Sequence, residues 1–287
     1  MKIRLITSPF YLGHKNVGMG AGPTKLIASG IVDALHESAN QVEIVEIDFE
    51  KGDMHEVGST FAINRLIADA VRRAVEAGEF PVVLGGNCNV CLGVVGGIGA
   101  ENLGVTWFDA HGDFHDSDST GSGFFDGMPL HIATGNSWRK MASTIPGFKP
   151  VRESSVVLAG VRDLDDGEVD LLEDSSIAVV PWEDLTGDSK YESFGSAVSD
   201  LSNDVEELYI HVDLDVLAPE IAPANSYQPK GGLTLDQFAG ALELLSGQFR
   251  VRAVTLACYD PSGDRENKAA LAGIAIVKML TDIASRI

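Results

Sequence analysis

The sequence predicts an α/β fold built on a parallel sheet, and three observations carry that expectation. Short β-rich runs alternate with longer helix-like segments from end to end, the order that produces a parallel sheet covered by helices on both faces. The runs are nearly continuous in Val, Ile and Leu, as strands buried on both sides require. Glycines and aspartates collect just after the runs, at the edge where open parallel sheets bind ligands.

In chain order, IRLITS (3–8) and VEIVEID (42–48) read as the first two strands. FAINRLIADAVRRAVEAGEF (61–80) carries an apolar face and reads as a helix feeding the strand PVVLGG (81–86). LGVTWFDA (103–110), SVVLAGV (155–161), IAVVPW (177–182) and ELYIHVDLD (207–215) continue the strand series. A second amphipathic helix, LDQFAGALELLSGQFR (235–250), precedes the last strand, VRAVTLACYD (251–260). ENKAALAGIAIVKMLTDIASRI (266–287) is a closing helix. No linker, repeat or low-complexity stretch intervenes, so residues 1–287 are expected to form a single domain.

Of the 287 residues, 45% are apolar, enough to fill a core and too many for a disordered chain. A net charge of −21 argues against nucleic acid and anionic membranes as partners, both of which need a cationic surface. Small molecules remain, cationic ones included. The three cysteines, Cys88, Cys91 and Cys258, are too few for a secreted disulfide framework and fit a reducing compartment. The opening MKIRLITSPF is too short and polar for a signal peptide, and no window approaches the roughly 18 apolar residues of a membrane span. A cytoplasmic protein is expected.

Two strand ends carry unusual chemistry. After VTWF the chain reads Asp109-Ala-His111-Gly-Asp113-Phe-His115, and ELYI runs into His211-Val-Asp213-Leu-Asp215. In extended chain, residues two apart share a face, so Asp109, His111 and Asp113 would point one way. Acid and imidazole groups crowded at one sheet mouth repel unless a cation sits among them. Four carboxylates and a histidine suit divalent ions sharing bridging aspartates. Either motif alone reads as a loop cap or turn former, whereas both together favour a metal site.

DAHGD, DLD and GGLT (231–234) together resemble the ureohydrolase family of arginases and agmatinases. GMGAGPTKL near the start, the GGNCN turn, GMPL (127–130), GVRDLDDGE (160–168) and CYDP (258–261) extend the resemblance over nearly the whole chain. It implies a three-layer α/β/α sandwich around a mostly parallel sheet, two Mn²⁺ ions per chain that activate water, and assembly into trimers or hexamers. It also implies that Asp109 and Asp213 bridge both ions, that His111 and Asp215 complete one site, and that Asp113 serves the other.

Three positions depart from the family pattern. Where the resemblance implies a His ligand, Cys88 stands. Its thiolate, favoured by a helix N-terminus and a nearby cation, could take that place, at the cost of a softer site less suited to Mn²⁺ than to other divalent ions. The alternative is a weak or absent first ion. Asp126 stands where arginases carry a proton-transferring His. It relays a proton if burial raises its pKa, or it merely caps the turn. His115 is a substitute acid, and His211 is either another, a partner that orients a ligand, or, as preferred, a structural histidine. Cys258 replaces the Glu that pairs with the substrate guanidinium, or is apolar filler. In the Cys88-Asn-Val-Cys91 spacing, no second pair completes a zinc site and no thioredoxin-like pattern surrounds it. Cys91 lies about one helical turn on and is expected in the core.

By the same resemblance, Asp165 and Glu168, supported by Asp163, bind a substrate α-ammonium, while Ser122 and His115 face its α-carboxylate. An α-amino acid is thus expected rather than agmatine. The expected activity is manganese-dependent hydrolysis of an arginine-like guanidino group, with Nω-hydroxy-L-arginine giving L-ornithine and hydroxyurea as first choice. Ordinary arginase activity and a metal-poor, non-catalytic binding protein are the alternatives.

Overall fold

The computed structural model describes residues 1–39, 41–187 and 191–286. Ten strands occur among them: β1 (Lys2–Ser8), β2 (Phe10–Tyr11), β3 (His14–Lys15), β4 (Gln41–Glu46), β5 (Phe80–Gly85), β6 (Leu103–Phe108), β7 (Val156–Val161), β8 (Ala178–Pro181), β9 (Glu207–Asp213) and β10 (Arg250–Ala257). Eight build one sheet in the order β4-β1-β5-β10-β9-β6-β7-β8, and every pairing in it is parallel. The remaining two, β2 and β3, form a small antiparallel ladder that the sequence reading did not anticipate. The last strand in the chain, β10, lies between β5 and β9 at the centre of the sheet.

Period-two alternation sorts the strand side chains into two cores. Val82, Leu84, Ile210, Val212, Val254 and Leu256 face one layer, packing with Leu35, Phe194, Phe238 and Ile276. Their alternates Val83, Tyr209, Ala253 and Trp107 face the other, with Phe61, Ile67, Val94 and Leu130. Helices Ile31–Ser38, Glu192–Asp204, Leu235–Leu245 and Lys268–Ala284 supply the first layer, and Glu56–Glu76 and Cys91–Ile98 the second. The outcome is the expected three-layer α/β/α sandwich. No described helix is long and apolar enough to cross a membrane.

Several predicted bounds shift for local reasons. The helix expected over 61–80 spans Glu56–Glu76 and stops where Gly78 turns left-handed (φ 69°), and Phe80 already begins β5. The helix expected to reach 250 ends at Leu245, with Gly247 at φ 76° leading into β10. The closing helix spans Lys268–Ala284, and residue 287 lies outside the described residues. The runs expected to 110, 215 and 260 stop at Phe108, Asp213 and Ala257, so the polar residues that follow sit in turns beyond the sheet. Gly86, just after β5, allows the β2 segment to cross closely: a Cβ there would stand 2.2 Å from the Phe10 carbonyl oxygen.

Candidate metal centre and substrate pocket

Four adjacent strands, β5, β10, β9 and β6, deliver the predicted residues to one edge of the sheet. Cys88 follows β5, Cys258 follows β10, Asp213 ends β9 with Asp215 beyond it, and Asp109, His111 and Asp113 follow β6. Among the described residues, their ligand atoms form three overlapping groups, each with all atoms within 4.8 Å of one another. The groups are Cys88, Asp109 and Asp113, then Asp109, His111 and Asp215, and finally Cys88, Asp213 and Cys258. All six predicted metal-ligating residues therefore converge, and Cys258 joins them.

They converge by a different route from the one expected. The chain does not stay extended past β6. Asp113 takes a left-handed φ of 52°, and its carbonyl accepts from Leu130 N at 3.0 Å. The turns are tied by the carboxylates themselves: His111 N donates to Asp109 Oδ1 (2.8 Å), Ala110 N to Asp215 Oδ1 (3.2 Å) and Asp215 N to Asp213 Oδ1 (2.8 Å). Arg162, half-buried, donates to the carbonyls of Asp215 (2.6 Å) and Leu217 (3.3 Å), fixing the DLD turn from below. The sequence reading passed over Arg162, although it sits inside the GVRDLDDGE motif.

Cys88 opens a single 3-10 turn, Cys88–Val90, ahead of the helix Cys91–Ile98. Its sulfur lies 3.4 Å from Cys258 Sγ, 3.1 Å from His211 Nε2 and 3.2 Å from Asp213 Oδ2. Burial, with Cys258 alongside, pushes the Cys88 thiol well up. Without a cation, neither the short turn nor the carboxylates that the sulfur faces favour the thiolate. Cys91 is fully buried in the second core, as expected, and both thiols are free. The pairing that matters is Cys88 with Cys258, which no local spacing could reveal.

His211 does more than fill the core. Sheet register sets it beside Trp107 on β6 and Thr255 on β10. Trp107 stacks on the ring at 3.7 Å and donates its indole N–H to Asp109 Oδ2 (3.0 Å). Burial lowers the His211 pKa to about 3, so the ring is neutral. The Tyr209 hydroxyl donates to Thr255 Oγ1 (2.8 Å) and lies 2.8 Å from His211 Nδ1. With Nδ1–H facing that oxygen, Nε2 is left to accept from Cys88. Cys88 thus has a fixed hydrogen-bond partner in His211, a contact beyond the plain structural role preferred from the sequence.

Charge is the dominant feature. Asp109, Asp113, Asp213 and Asp215 are all buried. Burial, then mutual repulsion, raises the pKa values of Asp109, Asp113 and Asp213. Burial opposes ionisation of Asp215 and His111 too, but their contact (3.2 Å) outweighs it, lowering the acid and raising the base. One oxygen of Asp113 is buried with no partner. A cluster that otherwise balances itself by retaining protons, with a carboxylate oxygen left over, fits divalent cations.

Asp126 is buried in the turn Phe125–Gly127. Its Oδ1 accepts from Asn89 N (3.1 Å) and Asn89 Nδ2 (2.7 Å), while Oδ2 accepts from Asn87 Nδ2. Burial outweighs these donors and raises its pKa to about 7. The sequence alone assigned Asn87 and Asn89 no role at the site, although two asparagines flanking the turn cysteine were the available signal.

A cavity of about 240 Å³ opens over the cluster, lined by Cys88, His111, Asp113, Asp126, Asp213, Asp215 and Cys258 at its floor. His115, Ser122, Asp163, Asp165 and Glu168 line it as well. Asp165 caps the helix Asp166–Glu173 and stands 3.1 Å from His115 Nε2, whose Nδ1 meets Ser119 Oγ at 3.2 Å. Glu168 is buried and accepts from Phe114 N (2.9 Å), and burial raises its pKa. Asp163 reaches His111 Nε2 at 3.8 Å. Ser122 is exposed and accepts from Phe124 N (3.2 Å). Tyr227, also unremarked in the sequence, stacks on Phe124 at 5.2 Å and meets the Tyr11 hydroxyl at 3.2 Å to form the rim.

Comparison with known proteins places this geometry. A model of the arginase family matches residues 1–281. The chain is 28% identical to the arginase of Bacillus caldovelox over 291 residues, 97% of each chain. It is 28% identical to the arginase of Staphylococcus aureus (strain MRSA252) over 289 residues, 96% of this chain and 95% of the relative. The native Bacillus caldovelox arginase structure superposes with a TM-score of 0.87 at 27% identity, covering 100% of this chain and 99% of the other.

Proposed function

Since this chain belongs to the arginase family, we propose that it is a metal-dependent ureohydrolase of an arginine-like amino acid, with Nω-hydroxy-L-arginine as substrate and L-ornithine and hydroxyurea as products. Residues 1–287 would act as one catalytic domain, a reading supported by the single eight-stranded sheet.

One observation carries the choice of substrate. Cys258 reaches the cavity floor beside Cys88 and Asp126, where the family resemblance implies a guanidinium-binding carboxylate. A sulfur offers no pair of oxygens to a planar, cationic guanidinium, which therefore loses a bidentate partner. The less basic N-hydroxyguanidino group loses less.

Cys88, Asp109, Asp113 and Asp213 would hold one ion, manganese by resemblance, and Asp109, His111, Asp213 and Asp215 the other. When bound, the ions supply the positive charge that makes water nucleophilic at neutral pH and polarises the guanidino group. Asp165, Glu168 and Asp163 receive the α-ammonium, while Ser122 and His115 face the α-carboxylate. That end of the cavity holds His115 against Asp165, which supports a binding role over an acid role. The substrate then lies with its guanidino end toward Asp126. A carboxyl titrating near 7, steadied by Asn87 and Asn89, is poised to pass a proton to the departing ornithine nitrogen.

The test loads the purified chain with Mn²⁺ and compares L-arginine with Nω-hydroxy-L-arginine, following ornithine, urea and hydroxyurea. A clear preference in kcat/KM for the hydroxylated substrate is expected, with Cys258→Glu moving it toward arginine. Equal or better turnover of arginine by the unaltered chain refutes the substrate. No turnover of either by an ion-loaded chain refutes the enzymatic reading.

A further inference from the structure

We propose that Cys258 is a second sulfur ligand to the ion held by Cys88, so that one half of the centre is a mixed thiolate–carboxylate site that selects zinc-like over manganese-like ions. The inference rests on the metal-centre reading above and adds a ligand that the family resemblance does not supply.

Cys88 Sγ, Cys258 Sγ and an Asp213 oxygen lie mutually within 4.8 Å, and all three residues are buried. Two sulfurs bound at about 2.3 Å to one tetrahedral ion stand roughly 3.8 Å apart, and a sulfur and an oxygen on it roughly 3.6 Å. The observed separations are 3.4 Å between the sulfurs and 3.2 Å from Cys88 Sγ to Asp213 Oδ2. An ion entering the group therefore spreads its donors by only about half an ångström. Asp109 Oδ2 lies 4.0 Å from Cys88 Sγ in the adjoining group that shares this sulfur.

An independent observation points to a ligand in this space. Asp113 belongs with Cys88 and Asp109 to the group that shares the Cys88 sulfur, and among the described residues one of its oxygens is buried without a partner. Cys88 Sγ also lies 3.1 Å from His211 Nε2 and 3.2 Å from Asp213 Oδ2, so polar groups surround it on the side facing the cluster. On ion binding each thiol releases its proton and contributes a sulfur lone pair. The backbone fixes Cys258 for this. It sits at a left-handed φ of 63°, and its carbonyl accepts from Asn225 Nδ2 at 3.0 Å. Sulfur donors favour zinc and cobalt over manganese. A sulfur committed to the ion is unavailable to a guanidinium, so this role is compatible with the substrate proposed above.

The test is Co²⁺ loading of the full-length, reduced chain without oxygen, with bound cobalt measured in parallel with sulfur-to-cobalt charge-transfer absorbance. With both sulfurs bound, Cys258→Ser and Cys258→Ala each take up cobalt but lose roughly half the absorbance per ion, as does Cys88→Ser. Competition titration should show the Zn²⁺ over Mn²⁺ preference falling roughly tenfold or more in the Cys258 variants. Unchanged absorbance and unchanged preference in Cys258→Ser, with cobalt bound, overturn the inference and leave the metal-centre reading standing. Failure of the unaltered chain to take up any divalent ion overturns both.

Discussion

Replacing Asp126 by asparagine should change how the stability of the metal-free chain depends on pH. The Asp126 carboxyl is buried and titrates near 7 in the folded chain, against an ordinary value of 3.8. Between those values the folded chain keeps a proton that the unfolded chain has released. Folding then binds a proton, so stability falls as pH rises. The stabilising contribution is complete below the ordinary value and is lost as pH climbs through about 7. Its full span is roughly 4 kcal/mol, of which about 2 kcal/mol falls between pH 5.5 and about 8. The neighbouring Asp113 and Asp213, raised in the same direction, give both chains a common downward slope. The asparagine amide can still accept from Asn89 but turns a donor toward Asn87, a loss of about 1–3 kcal/mol. In urea unfolding of metal-free protein, the stability of Asp126→Asn relative to the unaltered chain should therefore rise by about 2 kcal/mol between pH 5.5 and about 8 and then stay constant. Parallel curves over that range, or a deficit that widens with pH, would refute the placement of a buried, proton-holding carboxyl at 126.

Two other perturbations test the supports of the site. Trp107→Phe keeps a ring against His211 but removes the N–H that Asp109 Oδ2 accepts. Ion affinity by competition titration should drop roughly 10–100-fold while the circular dichroism spectrum is kept, and unaltered affinity would dismiss the indole as an orienting group. Gly86→Ala would place a Cβ 2.2 Å from the Phe10 carbonyl oxygen and 2.8 Å from Gly20 Cα. A loss of about 3 kcal/mol or more is expected by urea unfolding, and a stability matching that of the unaltered chain would mean the crossing is not close.

The sheet was legible because its signal is local: Val, Ile and Leu runs, each followed by a turn, encode buried parallel strands whatever lies beside them. The acidic residues were legible because Asp109, His111, Asp113, Asp213 and Asp215 occur in two short motifs at strand ends. What stayed hidden depends on strand order. Cys88 and Cys258 are 170 positions apart and meet only because β5 and β10 are neighbours. The same register brings Trp107, His211 and Thr255 together from three strands. The bend at Asp113 escaped as well, since aspartate in a D-x-D pattern does not announce a left-handed φ.

The position of β10 has a consequence for how the molecule is made. A ribosome delivers β1, β4 and β5 early and β6 to β9 later, yet among the described residues no strand of one block pairs with a strand of the other until residues 250–257 are wedged between them. Until then β5 and β9 each present an open, apolar edge of the kind that pairs with other chains. Each proposed ion site also draws on both motif segments, 109–113 and 213–215, and the sulfur-bearing half awaits residue 258. In the proposed arrangement, capture of an ion by the sulfur-bearing half would therefore follow synthesis of residue 258. A chain interrupted before residue 250 would hold two half-sheets with no strand bridging them, a substrate for chaperones and proteases.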